Sequence, residues 1–322
     1  MTGTENRGYE WSGILDTRQH AEFVQAAVRP SFGRKKSLPA RYVPLYPKNS
    51  ERELKSLTNA YMKILKKEIN DHLPEIMAAY KRSRRTDSRE DGIFDLTQEL
   101  GRIFQDIGRS VEKKLSEFGL RGRIEKVAKR TQGTSYAEWK KCVQKTVGLD
   151  LIDNYYSKDF YSSIMQPWID NSVSMIQSIP QQELGTMRSI ISDGFRDELP
   201  IEDIAKNIQG EYNTSKSKAM FLARDQIGTL NSELTRRQHE DAGVSRYRWV
   251  DSGDGRVRDC HHSLNGRVFR WDDPPAMWTR RNGAVVFTGR RCHPGQDYGC
   301  RCHAVPVFDI DTLDLPIQGA NK

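Results

Sequence analysis

Four of the five cysteines and four of the seven histidines in this 322-residue sequence fall between Cys260 and His303. The run opens with Cys260-His261-His262, adds Cys292-His293 and closes with Cys300-Arg301-Cys302-His303. Thiolates and imidazoles are the donors that zinc and other soft or borderline metals select, so a structural zinc is the first chemistry to consider. In an extended strand, residues 300 and 302 project to one face and Arg301 to the other. His261 from the preceding loop and Cys292 from the intervening insert, with His293 as its substitute, would complete a tetrahedral set with Cys300 and Cys302. Against this, Cys-x-Cys is tighter than the usual knuckle spacing. The competing reading makes both cysteines small buried hydrophobes and leaves the histidines exposed. A catalytic metal would need a general base nearby, and no Glu follows Asp241.

Between Arg246 and His303 every basic side chain other than histidine is arginine. The planar guanidinium suits phosphate, which makes Arg256, Arg258, Arg267, Arg280, Arg281, Arg290 and Arg291 candidates for contact with double-stranded DNA. Pairing with Asp251, Asp254, Asp272 and Asp273 of the same region explains them equally well. A different chemistry is open to the same block: His261 or His262 as general base, with Arg258 and Arg301 stabilising charge, in metal-free processing of nucleic acid. Asp251-Ser-Gly-Asp-Gly255 lacks the closing glutamate of a calcium loop and reads as a β-turn.

The elements that must position these residues follow from period. Leu54, Leu57, Tyr61, Ile64, Leu65, Ile69, Leu73, Ile76 and Tyr80 mark one long amphipathic helix, and Ile93 through Phe118 mark a second, antiparallel to it. Ser135-Tyr-Ala-Glu138 has the form of a capping box opening a helix to Val147. Further helices are expected at 158–178, 181–196, 200–209 and 216–241, with a break possible at Pro167. After Gly243 the period becomes two. Tyr247 and Trp249, 268–271, 284–287 and 305–308 read as short strands, and Trp271-Asp-Asp-Pro-Pro-Ala-Met-Trp278 as a stiff turn. The expected class is α+β: a basic extended arm over 1–48, a helical body over 49–180 and a compact α+β domain over 181–322.

Net charge is +8, the isoelectric point is about 9.2 and mean hydropathy is −0.73. No apolar run is long enough to span a bilayer, so no membrane is expected, and the first residues carry no targeting pattern. An odd cysteine count with an isolated Cys142 argues for free thiols or a metal rather than disulfides, as in a cytosol.

The block Asp254-Gly-Arg-Val-Arg258-Asp-Cys-His261-His-Ser-Leu264-Asn-Gly266, with Pro294-Gly295-Gln-Asp-Tyr-Gly-Cys300-Arg301-Cys302 and Val305-Pro306-Val307, resembles the phage Mu F-like minor head proteins. Ala223-Arg224-Asp225-Gln226 with Asn231, and Trp168, Asn171 and the run ending at Pro180, resemble the family's preceding helices. The likeness covers about 150 to 310. It implies a non-enzymatic minor capsid protein of a tailed bacteriophage that takes part in head morphogenesis. It further implies a place at the portal vertex inside the head, with the portal protein, the major capsid protein and packaged DNA as partners. The expected localisation is the virion, and the host cytoplasm before assembly. Some relatives add a toxin-like enzymatic domain beyond this module, and none is expected in the residues that follow it here.

Overall fold

The computed structural model describes residues 17–85, 89–153 and 155–317. Among them are seven helices and six short antiparallel strands, the α+β class expected. The helices are α1 (Thr17–Phe32), α2 (Lys48–Ser83), α3 (Arg89–Glu117), α4 (Leu120–Val147), α5 (Lys158–Arg196), α6 (Ile201–Asp241) and α7 (Asp259–Leu264). The strands are β1 (Ser37–Pro39), β2 (Arg246–Val250), β3 (Val268–Arg270), β4 (Ala276–Arg281), β5 (Ala284–Arg291) and β6 (His303–Asp309). No described helix is long and apolar enough to cross a membrane.

The chain forms two compact units, each from separated segments. One comprises Glu51–Val127 and Ile169–Arg224; the other comprises the described parts of Met1–Ser50, Ala128–Trp168 and Asp225–Lys322. The division therefore interleaves along the sequence, unlike the consecutive blocks that composition suggested.

In the first unit, α2 and α3 run antiparallel. Arg82 bonds Glu99, Glu68 bonds Ser110 and Lys114, and Tyr61 meets Phe118 edge-on, so partners advance in opposite directions. Their apolar stripes enclose a core with Met187, Ile191, Ile204, Ile208 and Tyr212. The expected break between 209 and 216 does not occur, and α6 continues through it. Tyr212 and Ser215 face inward there, and the Ser215 hydroxyl bonds Glu183 and Glu211, so a polar side chain holds one of the buried places. Helix α5 likewise runs through Pro167 and Pro180.

The second unit holds the four-stranded sheet, in the order β1-β6-β2-β3. Strand β2 alternates as expected: Tyr247 and Trp249 are fully buried, while Arg246 and Arg248 face the other way and reach Asp309 and the Ala40 carbonyl. Residues 17–48 were expected to extend as an arm. Instead they form α1 and then β1, which pairs with β6 through Ser37↔Asp309 and Pro39↔Val307. Val24, Val28 and Phe32 supply α1 with an apolar face that packs into the core around Trp139, Val143 and Phe308. The first sixteen residues of that arm lie outside the described residues. Ser135 and Glu138 cap nothing, because α4 begins at Leu120. Glu138 accepts from Tyr42, Leu45 N and Lys141, and Ser135 bonds Gln238. The segment read as a stiff turn ends in β4, which forms a two-stranded ribbon with β5 across Asn282-Gly283, both at positive φ.

Candidate functional site

Short helix α7 sorts its consecutive histidines to opposite sides. Cys260, His261 and Leu264 point inward, while His262 faces solvent and pairs with Asp251 at 2.9 Å. His261 is only 3% exposed and is held from both ends. Its Nε2 lies 3.1 Å from Asp297 Oδ2, and its Nδ1 lies 3.6 Å from Cys300 Sγ and 3.7 Å from Cys302 Sγ. These three donors form one buried group, mutually within 4.8 Å. Cys292 and Cys260 belong to the same core as Tyr247, Trp249 and Trp271, yet Cys292, expected as the fourth ligand, is not in that group. Its substitute, His293, is turned to the Tyr247 hydroxyl at 2.8 Å.

Asp297 went unrecognised in the sequence. A lone aspartate in Pro-Gly-Gln-Asp reads as a turn residue, and its partners lie 39, 36 and 7 positions away. It is 3% exposed and gathers Arg258 at 3.2 Å, Arg290 at 2.6 Å and His261. Burial alone would raise its pKa, but the His261 hydrogen bond and the two guanidiniums hold it below the usual carboxylate value. Burial opposes the His261 imidazolium; Asp297 and Cys300 outweigh it and raise the group to about 9. A hydrogen bond between the two free side chains lowers the Cys300 thiol well below its ordinary value, with His261 acting in the same direction, and raises Cys302. Burial pushes His293 down to about 4 and raises Cys260 and Cys292.

Helix α6 positions the loop that carries Asp297 and Cys300. Asp225 Oδ1 accepts from Gly299 N at 2.6 Å, and the Gln226 carbonyl accepts from Trp168 Nε1 at 2.8 Å, so residues singled out in the motif are joined in space. Gly228 permits the approach: a Cβ there would lie 2.8 Å from the Cys300 carbonyl oxygen and 3.2 Å from that of Gly295. Both obstacles are backbone. Gly228→Ala is expected to cost about 1–3 kcal/mol in chemical denaturation, the range for overpacking; an unchanged midpoint would show that the loop does not need this contact.

The candidate phosphate contacts fare differently from one another. Five of the seven arginines are engaged by carboxylates of their own unit: Arg256 by Asp254, Arg258 and Arg290 by Asp297, Arg280 by Asp259 and Arg291 by Asp273. Arg267 lies over Phe269, and neither it nor Arg281 has a carboxylate partner among the described residues. The Asp251–Gly255 segment is a turn, closed by Gly253 N to Asp251 and Arg256 N to Asp254.

Sheet, ribbon, α7 and the Cys-Arg-Cys strand entry together form one α+β module. Residues 189–305 match the family described as phage Mu protein F like protein, so the chain carries a phage Mu F-like region that contains the whole buried site. An uncharacterized protein of Haemophilus influenzae is 29% identical over 180 residues, covering 56% of this chain and 37% of the relative. An NAD(+)–arginine ADP-ribosyltransferase of Enterococcus faecalis is 22% identical over 238 residues, covering 71% of this chain and 46% of that protein. The chain thus spans less than half the length of either relative. No solved structure matches.

Proposed function

We propose that this chain is a minor head protein of a tailed bacteriophage. In this reading it acts in head morphogenesis, sits at the portal vertex inside the head with the portal or major capsid protein as its neighbour, and contacts packaged DNA through phosphates. The match of residues 189–305 to the phage Mu F-like family carries this reading. Its direct test is to locate the chain in purified particles: recovery with the portal-bearing vertex supports it, and absence from complete particles overturns it.

The DNA contact is narrower than the arginine count suggests. The exposed β4–β5 ribbon supplies Arg281 beside Val285, Val286 and Phe287, the last 67% exposed, and Arg267 adds a second charge without a carboxylate. Arginines already paired with carboxylates bring little net charge to a phosphate. The logarithm of duplex affinity is therefore expected to fall with the logarithm of salt at a slope of about −2, against about −6 if all seven arginines neutralised phosphates. A slope near the steeper value would mean that the internal pairs exchange for DNA.

The alternative of a nucleic-acid-processing enzyme built on His261 or His262 has little to support it. His261 is buried with both ring nitrogens engaged, and His262 is tied to Asp251.

A further inference from the structure

We propose that His261 Nδ1, Cys300 Sγ and Cys302 Sγ bind one thiophilic divalent cation, zinc foremost, as a structural site that ties α7 to the 293–302 loop and the start of β6. The inference rests on geometry and is independent of any role in a phage head. A tetrahedral zinc with Zn–N of about 2.05 Å and Zn–S of about 2.3 Å holds its nitrogen and sulfur ligands about 3.6 Å apart. The two nitrogen-to-sulfur separations here are 3.6 and 3.7 Å. The His261 nitrogen thus already stands at coordination spacing from both sulfurs, and the three atoms, all within 4.8 Å of one another, would fill three of the four tetrahedral positions.

Three surrounding features fit the same use. Asp297 accepts a hydrogen bond from His261 Nε2, which leaves Nδ1 facing the sulfurs as the donor atom once a cation replaces its proton, the usual arrangement behind a metal-bound histidine. Backbone N–H groups of Gly295 and Cys302 point at Cys300 Sγ from 3.4 and 3.3 Å, donors that favour a thiolate. Arg258 and Arg290 compensate Asp297, so its charge is not left to compete for the cation. One imidazole and two thiolates select zinc over magnesium or calcium, which prefer oxygen. Cys292 has no part in the set.

The test uses the full chain purified under reducing conditions without chelator. Elemental analysis is expected to give about one zinc per chain, retained in Cys142→Ser and Cys292→Ser and lost in Cys300→Ser and Cys302→Ser. Asp297→Asn, which leaves all three donors in place, is expected to weaken zinc binding by about 10–100-fold, as for other partners of metal-bound histidines. If the cysteine variants do not fold, the unsubstituted chain still decides: cobalt should enter with sulfur-to-cobalt absorption bands and be displaced by zinc. Absence of both zinc and a cobalt spectrum in the reduced chain would overturn the proposal, as would a Cys300–Cys302 disulfide that persists under reductant.

Discussion

Trp249→Ala is expected to lower stability by about 3–5 kcal/mol, the cost of truncating a large buried aromatic to a methyl. Trp249 is fully buried in the middle strand β2. Its ring stands 5.5 Å from His261 and 6.3 Å from Phe269, so the indole is the packing surface against which α7 presents its inward histidine. The residue opposite on β6 is Ala304, a small side chain facing the large one, which leaves nothing on that strand to fill the space. Neighbours cannot collapse freely, because the Trp249 backbone N–H and carbonyl are bonded to Arg267 and Gly266. Urea denaturation followed by near-ultraviolet circular dichroism measures the effect. Trp249→Phe, which keeps a ring in place, should lose distinctly less, and an alanine variant within about 1 kcal/mol of the parent would show that this core is not what holds α7.

The α+β class and most of the helices were legible because their signal is local. Leu54 through Tyr80 repeats at helical steps, and Tyr247 with Trp249 alternates at strand steps, so neighbours in sequence suffice. What escaped depends on distant partners. Strand β1 is three residues ending in proline, and only β6, some 270 positions later, makes it a strand. Helix α6 continues through the expected break, where the buried Ser215 is polar and takes a partner from another helix, Glu183, as well as Glu211 from its own. Of the site, the family motif holds His261, Cys300 and Cys302, the cysteines flanking a single residue and the histidine lying in the preceding motif block. Cys292 lies outside that motif and was a candidate by residue type alone, which does not tell that its thiol stands apart from the other three donors. Arg258 and Arg290 were grouped with surface charges, because nothing adjacent to them announces Asp297.

That aspartate carries the second large effect. Asp297→Asn should cost about 3 kcal/mol, the low end of the range for breaking a buried ion pair by removing one partner. The low end applies because Arg258 and Arg290 are roughly half exposed and can turn to water, while the carboxylate itself is buried. The same asymmetry makes the reverse substitutions mild: Arg258→Ala or Arg290→Ala leaves Asp297 one guanidinium and His261, and each should cost about 1 kcal/mol or less. A double-mutant cycle between Asp297 and either arginine should therefore be far from additive. If Asp297→Asn proved no costlier than the arginine variants, the three-way gathering would not be a buried electrostatic centre. Repeating the comparison with excess chelator separates the two roles of the residue. The ion-pair loss persists without metal, whereas any part that acts through orientation of His261 disappears, because the parent chain has then lost the same ligand.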